Sequence, residues 1–134
     1  MTNKREDPMI SNVSSPDAPP PAGPYAQAAL SGGFAFLAGQ GPFDENGQRV
    51  GATFADQVRR TFANLETVAQ AAGSSLANAG RYGVYLRNPD DFAEFNEIAR
   101  EFLSEPLPAR TTIEAALRGF DIEIDAIVVV PGDR

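Results

Sequence analysis

The apolar positions of this chain change period several times, and each change marks an element. Short strand-like runs at Tyr25–Leu30 and Phe34–Leu37 flank Ser31-Gly32-Gly33, which reads as two strands joined by a hairpin-type turn. Gly39-Gln40-Gly41-Pro42 ends the second strand, and Asp44-Glu45-Asn46-Gly47 is a further turn. The period then lengthens: Phe54, Val58, Phe62, Leu65, Val68 and Ala72 recur at helical spacing. Thr53 is a good N-cap with Asp56 three residues on, and Gly73 stands where a helix C-terminus wants glycine. Tyr82–Leu86 returns to a strand pattern. Asn88-Pro89 opens a second helix with the apolar stripe Phe92, Phe95, Ile98 and Phe102, stopped by Pro106 and Pro108.

The last apolar runs predict a second hairpin. Gly119-Phe120 suits a two-residue turn with Gly first, pairing Arg118 with Asp121, Ala116 with Glu123 and Arg110 with Val129. One face then carries Ile113, Ala115, Leu117, Ile122, Ile124, Ala126 and Val128 and covers the helices. The other carries Arg110, Thr112, Glu114, Ala116, Glu123, Asp125, Ile127 and Val129. Water alone suits the charges on that face but not Ile127 or Val129, whereas another subunit suits both. The order β-β-α-β-α-β-β, with both helices on one face of a mostly antiparallel sheet, places the chain in the α+β class.

Upstream, the chain is rich in Pro, Ser, Asp and Asn through Pro21. Residues 1–17 are read as a flexible N-terminal arm carrying a short edge strand near Met9–Val13, and residues 18–134 as the folded domain. A length of 134 residues fits a single domain.

Charge and composition narrow the chemistry. A formal net charge of -7 repels a phosphate backbone, so no nucleic-acid partner is expected. The segment MTNKREDPM lacks the apolar core of a signal peptide and no run has the length of a membrane span. The expectation is a cytoplasmic protein without a membrane partner. The chain has no His and no Cys. That removes the commonest acid–base residue, the soft nucleophile, disulfides and most zinc and iron sites. No EF-hand-like spacing of acids appears either. What remains is an arginine that grips an anion and a carboxylate that moves a proton. Arg110 could clamp a carboxylate in a bidentate pair, or be a solvated surface charge. Glu123 could hold and deprotonate a water, or be a solvated strand acid.

Four segments stand in order: Gly23-Pro24-Tyr25-Ala26-Gln27-Ala28; Ala38-Gly39-Gln40; Asn88-Pro89-Asp90-Asp91-Phe92 with Asn96; and Pro108-Ala109-Arg110-Thr111 with Ile122-Glu123-Ile124-Asp125-Ala126. In that order and spacing, across roughly residues 18–130, the chain resembles the RidA (YjgF) family of reactive-intermediate deaminases. The resemblance implies a chorismate-mutase-like domain, a homotrimer with clefts between subunits, and hydrolysis of 2-aminoacrylate-type enamine and imine acids to 2-keto acids and ammonia. It implies no metal and no cofactor. It matches the family's carboxylate-binding Arg to Arg110, its acid near the catalytic water to Glu123, its cleft Tyr to Tyr25, and its ligand-approaching glycine to Gly39. Asn96 and Thr112 are further substrate-binding candidates.

Two departures stand out. Ala38 replaces a serine common in the family, and Thr112 replaces a frequent cysteine. They leave room for a dedicated deaminase of a larger enamine, such as an aminomuconate-type acid. A non-catalytic carboxylate-binding module is the reading from another class. A ribonuclease fits badly with the acidic charge and the lack of His. In the hairpin register above, Arg110 lies six residues along from the partner of Glu123, on the order of 20 Å. One small acid cannot bridge that gap, so the two residues are expected to meet only across a subunit boundary.

Overall fold

The computed structural model describes residues 9–132. Its sheet is built around the last strand of the chain. Strands β1 (Ser11–Val13), β2 (Ala28–Ser31) and β3 (Phe34–Gln40) form an antiparallel meander. Helix α1 (Phe54–Ala71) crosses the sheet, and β4 (Ala79–Leu86) returns. Helix α2 (Phe92–Ala99) then leads to β5 (Ala109–Glu114), and β6 (Ile122–Val129) closes the chain. The strand order is β1-β2-β3-β6-β4-β5, so β6 sits between β3 and β4 and pairs antiparallel with both. The fold is α+β and chorismate-mutase-like, with both helices on one face of a mostly antiparallel sheet.

Local sequence explains the elements. The Thr53 side chain accepts the Asp56 N–H at 3.1 Å and starts α1, and Gly73, at φ +83°, ends it. Asn88 accepts the Asp90 N–H at 2.9 Å and starts the 3₁₀ turn Pro89–Asp91 that leads into α2. Helix α1 buries Val58, Phe62, Leu65, Val68 and Ala69 against Ile122, Ile124, Ala126 and Val128 of β6. Phe62 is the hub. It stacks on Phe102 at 4.6 Å and Phe95 at 6.1 Å, and meets Tyr82 edge-on at 6.0 Å. Phe102 thus keeps its place in the core although α2 ends at Ala99. The opposite face of the sheet has no helices and exposes Phe34, Phe36, Ile113 and Val129. Among the described residues no helix is long and apolar enough to cross a membrane.

One expectation needs correction. The final hairpin does not form. Strand β5 pairs parallel with β4, with Arg110 level with Tyr82 and Ile113 level with Tyr85. Residues 115–121 carry the chain past the end of β4 into the gap beside β3. The pairings of Ala116 with Glu123 and of Arg110 with Val129 are therefore absent. The physical reason is the β4–α2–β5 unit: a helical crossover returns the chain parallel to the strand it left.

The edge strand expected near Met9–Val13 is present as β1. Residues 1–8 lie outside the described residues, but β1 pairs with β2 and Ala18 is buried. The side chain of Gln27 accepts the Ser15 N–H at 2.6 Å and donates to the carbonyls of Ser15 at 3.1 Å and Pro19 at 2.9 Å. Among the described residues, the segment from Ser11 to Pro19 is thus tied to the sheet by the β1–β2 ladder and one buried amide.

Asn64 plays a similar part on α1. It is buried and donates to the carbonyls of Gly41 at 2.9 Å and Phe43 at 2.8 Å. Asn64→Ala should lower stability by about 1–3 kcal/mol, because both carbonyls lose their donor in a dry site. Urea unfolding should show a lower midpoint with an unchanged slope. A midpoint equal to wild type would show that water replaces the amide.

Candidate active site

The sheet carries two separate concavities. The first lies where β3 meets β6. Its register shifts between Leu37 and Gln40, a bulge that leaves Gly39 without a ladder partner on β6. A Cβ on Gly39 would fall onto the Glu123 carboxylate, so only glycine leaves room for that acid. Glu123 projects from the open face of β6, level with Tyr85 on β4. Around it lies a cleft of about 320 Å³ walled by Pro19, Pro20 and Pro21 on one side and Phe43 and Phe120 on another. The two Phe rings meet edge-on at 5.1 Å. Tyr25 stands half-exposed at the rim. Its hydroxyl accepts the Ala22 N–H at 3.0 Å, which leaves the phenolic hydrogen free for a ligand.

The loop that carries Phe120 is pinned to α1. Asp121 N–H donates to Gln57 Oε1 at 2.8 Å, and Gln57 Nε2 donates to the Asp121 carboxylate at 3.3 Å. Arg87 adds an ion pair to Asp121 at 3.1 Å. The position of Glu123, two residues on, follows from this anchor and from pairing on both sides of β6.

Burial raises the pKa of Glu123 above the ordinary carboxylate value, and the neighbouring charge of Asp125 adds to the rise. Asp125 is itself held two residues away on the same face. The Tyr85 hydroxyl donates to it at 2.9 Å, and Arg81 lies 3.6 Å from its other oxygen. Among the described residues no donor binds the Glu123 carboxylate. A half-buried acid in this state can hold a proton or take one from water.

The second concavity lies on the opposite face of the sheet, at its edge. Arg110 is level with the buried Tyr82 and so faces the helices. Its guanidinium sits over the rings of Phe92 at 5.5 Å and Phe95 at 5.4 Å. Partial burial lowers its pKa from the usual value, but an arginine stays charged. Among the described residues no carboxylate pairs with it. Arg110 lines a cavity of about 210 Å³ with Asn96, Ala99, Arg100, Leu103 and Leu107. Thr112 lies two residues along the same face, in a neighbouring hollow that also contains Phe92. Its hydroxyl is buried without a hydrogen-bond partner.

The structure therefore brings together Glu123, Tyr25 and Gly39 in one place and Arg110, Asn96 and Thr112 in another. It corrects the expectation that Arg110 and Glu123 share a sheet face. Two strands and three residues separate them, about 14 Å by strand geometry, and they point to opposite sides. A single chain cannot close both on one small acid. Among the described residues no group of three or more His, Cys, Asp or Glu gathers in a metal-like cluster.

Sequence reasoning missed the walls of the first cleft. Phe120 was placed in a tight turn, and the proline run and Phe43 in no element. The one available signal was Gln27, whose amide could have been recognised as a substitute partner for the backbone of a proline-rich segment.

Two outcomes follow from Gly39 and Glu123. Gly39→Ala should displace the carboxylate and abolish any Glu123-dependent activity while leaving the melting temperature within a few degrees, since the bulge backbone is not in a positive-φ conformation. Retained activity would mean that Glu123 has no fixed position to lose. In the second case, Glu123 has a raised pKa in the folded state, so the protein loses stability as pH rises from the unfolded-state value of about 4.3 through the folded value. Glu123→Gln cannot ionise. Its stability relative to wild type should therefore increase as pH rises from 4 to 8 in denaturant titrations, and a pH-independent difference would contradict the assignment.

A family model described as Endoribonuclease L-PSP matches residues 15–130. A RutC family protein of Pyrococcus horikoshii is 41% identical over 114 residues, covering 83% of this chain and 90% of that one. A 2-iminobutanoate/2-iminopropanoate deaminase of Dermatophagoides farinae is 33% identical over 121 residues, covering 88% and 94%. The crystal structure of RidA from the Antarctic bacterium Psychrobacter sp. PAMC 21119 superposes with a TM-score of 0.84 at 32% identity, covering 90% of this chain and 99% of that one. The matches run from the proline wall of the cleft to the end of β6, and over that length this chain belongs to the RidA (YjgF, RutC) family.

Proposed function

We propose that this protein is a hydrolytic deaminase of short-lived 2-imino and enamine acids, and that its site forms where the two concavities of neighbouring copies meet. The observation that carries this reading is the state of the two charged groups. Arg110 is an anion clamp with no anion among the described residues, and Glu123 is a carboxylate with a raised pKa and no donor among them. Each lacks what a substrate or a partner surface would supply. A relative named as an imine deaminase supports the reaction class.

The chemistry needs few groups. The substrate carboxylate pairs with the Arg110 fork, which fixes C2 of the acid. Water adds to C2 as Glu123 takes its proton, and the C=N electrons move to nitrogen. Glu123 then returns the proton to that nitrogen. Glu123 next carries the adduct's hydroxyl proton to the nitrogen, the C–N bond breaks as the C=O bond forms, ammonia leaves, and a 2-keto acid remains. An enamine first takes a proton at C3 to reach the imine, and a carboxyl whose pKa is raised holds a proton for that step more readily than an ordinary one. Tyr25 offers a hydroxyl donor at the rim, and Thr112 a hydroxyl beside the clamp.

Assembly as a homotrimer gives the open sheet face a purpose. Phe34, Phe36, Ile127 and Val129 form one apolar strip across β3 and β6, with Ile113 on the same face of β5. Copies meeting there would bury this strip and bring one chain's edge, with Arg110, toward another's Glu123. Nucleic-acid cleavage, which the description of the matched family model names, finds no support in a chain of net charge -7 without His.

The test is keto-acid and ammonia release from enzymatically generated 2-aminoacrylate. Arg110→Ala should lower kcat/KM at least about tenfold through loss of charge-assisted bonds. Glu123→Gln should lower kcat by about 100-fold or more. Mixing the two unfolded variants and refolding them together should restore about a quarter of wild-type activity, because random assortment in a ring completes that share of clefts. Failure to restore any activity, with both variants folded and assembled, would place the whole site within one chain. Ligand-induced stabilisation without turnover would identify a binding module instead.

A further inference from the structure

The Arg110 cavity holds more positive charge than one carboxylate needs. Four arginines of the described chain are paired with acids: Arg59 with Glu101, Arg60 with Glu45, Arg81 with Asp125 and Arg87 with Asp121. The others, Arg49, Arg100, Arg110 and Arg118, have no carboxylate partner among the described residues. Arg49 spends a guanidinium N–H on the Gly51 carbonyl at 2.6 Å. Two of the remaining three, Arg100 and Arg110, line the same cavity of about 210 Å³. Its other walls are Asn96, Ala99, Leu103 and Leu107, so no acid lines it. In a chain of net charge -7, this hollow is doubly cationic.

The position of Arg100 has a plain partial cause. It follows the last residue of α2, where a cation suits the helix C-terminus, and its Nη1 donates to the Asn96 carbonyl at 3.2 Å. That uses one N–H of the guanidinium and leaves the rest of the fork without a partner among the described residues. Glu101, the adjacent acid, is already held by Arg59 in a two-point pair at 3.0 and 2.8 Å. Two like charges beside apolar walls cost free energy unless an anion joins them. The side-chain amide of Asn96, in the same cavity, also makes no hydrogen bond among the described residues.

Building on the deaminase reading above, we propose that Arg100 recognises a second acid group, so that the preferred substrates are short 2-imino diacids of the kind formed when aspartate or glutamate is oxidised. Arg110 takes the carboxylate on C2. Arg100 takes the distal carboxylate, and Leu103 and Leu107 cover the methylenes between. At about 30 Å³ for each water-sized group, the cavity has room for about seven such groups, enough for a carboxylate and a short linker. Arg100 acts as a specificity-determining residue and takes no part in proton transfer.

The experiment compares imines made in situ by amino-acid oxidases from alanine, aspartate and glutamate, with keto-acid release measured above the uncatalysed rate. Wild type should favour the diacid imines over the alanine imine by about fivefold in kcat/KM, the size of one good solvent-exposed charge pair. Arg100→Gln should erase that ratio, Arg100→Lys should keep part of it, and raising salt from 50 to 500 mM should shrink it in wild type. A ratio near one in wild type, or one that Arg100→Gln leaves unchanged, overturns the inference while the deaminase reading stands. If no imine is turned over, calorimetry with 2-ketoglutarate and pyruvate decides separately. Tighter binding of the keto diacid that is lost in Arg100→Gln supports the second anion subsite, and equal binding of the two overturns it.

Discussion

The insertion of β6 between β3 and β4 is the constraint on which the rest of the molecule depends. With a strand on each side, β6 satisfies its backbone on both edges and buries Ile122, Ile124, Ala126 and Val128 under α1. Alternation then forces Glu123 and Asp125 onto the open face, near the middle of the sheet where the backbone has least freedom. The same insertion moves β5 to the edge beyond β4, and the parallel register of that pair turns Arg110 toward α2. The loop from β5 to β6 must then span the end of β4. It is fastened there by Asp121 to Gln57 and Arg87, and this brings Phe120 over the cleft. One topological choice therefore positions the acid, separates it from the clamp, and supplies a wall.

What was legible in the sequence was local. Thr53, Asp56 and Gly73 bound α1 through contacts within a few residues, and the turn at Gly32-Gly33 requires only its own positive φ values, +61° and +85°. The alternation of β6 was legible for the same reason, but that Glu123, Tyr25 and Gly39 share a cleft from which Arg110 is absent was not. Strand pairing was not legible, because partners distant in sequence compete for one edge. Gly119-Phe120 satisfies every local rule for a tight hairpin, yet Gly119 lies in a loop at φ +84°. The overriding signal was the β4–α2–β5 succession, which favours parallel pairing and leaves β6 to find partners elsewhere. The proline run misled in the same way. Its composition cannot build a core, but Gln27 donates to the Pro19 carbonyl and accepts the Ser15 N–H, and the segment becomes a wall.

The separation of Arg110 and Glu123 has a chemical consequence of its own. Had the fold set them side by side in a half-buried pocket, they would form an ion pair. The pair would lower the carboxylate pKa and fill the guanidinium fork, leaving neither group able to meet a substrate. On opposite faces each keeps the property that chemistry needs. Burial and Asp125 hold the pKa of Glu123 up, with Tyr85 and Arg81 fixing Asp125 in place. Phe92 and Phe95 support the charge of Arg110 through their ring faces, which attract a cation without occupying its hydrogen-bond donors. An aromatic cradle steadies an arginine and leaves its whole fork open to a carboxylate. The proposed meeting of copies then brings the two groups within reach of one ligand while its carboxylate lies between the positive and negative charges. Within a chain the fold never lets the pair neutralise itself, and the proposed cooperation on a substrate requires that.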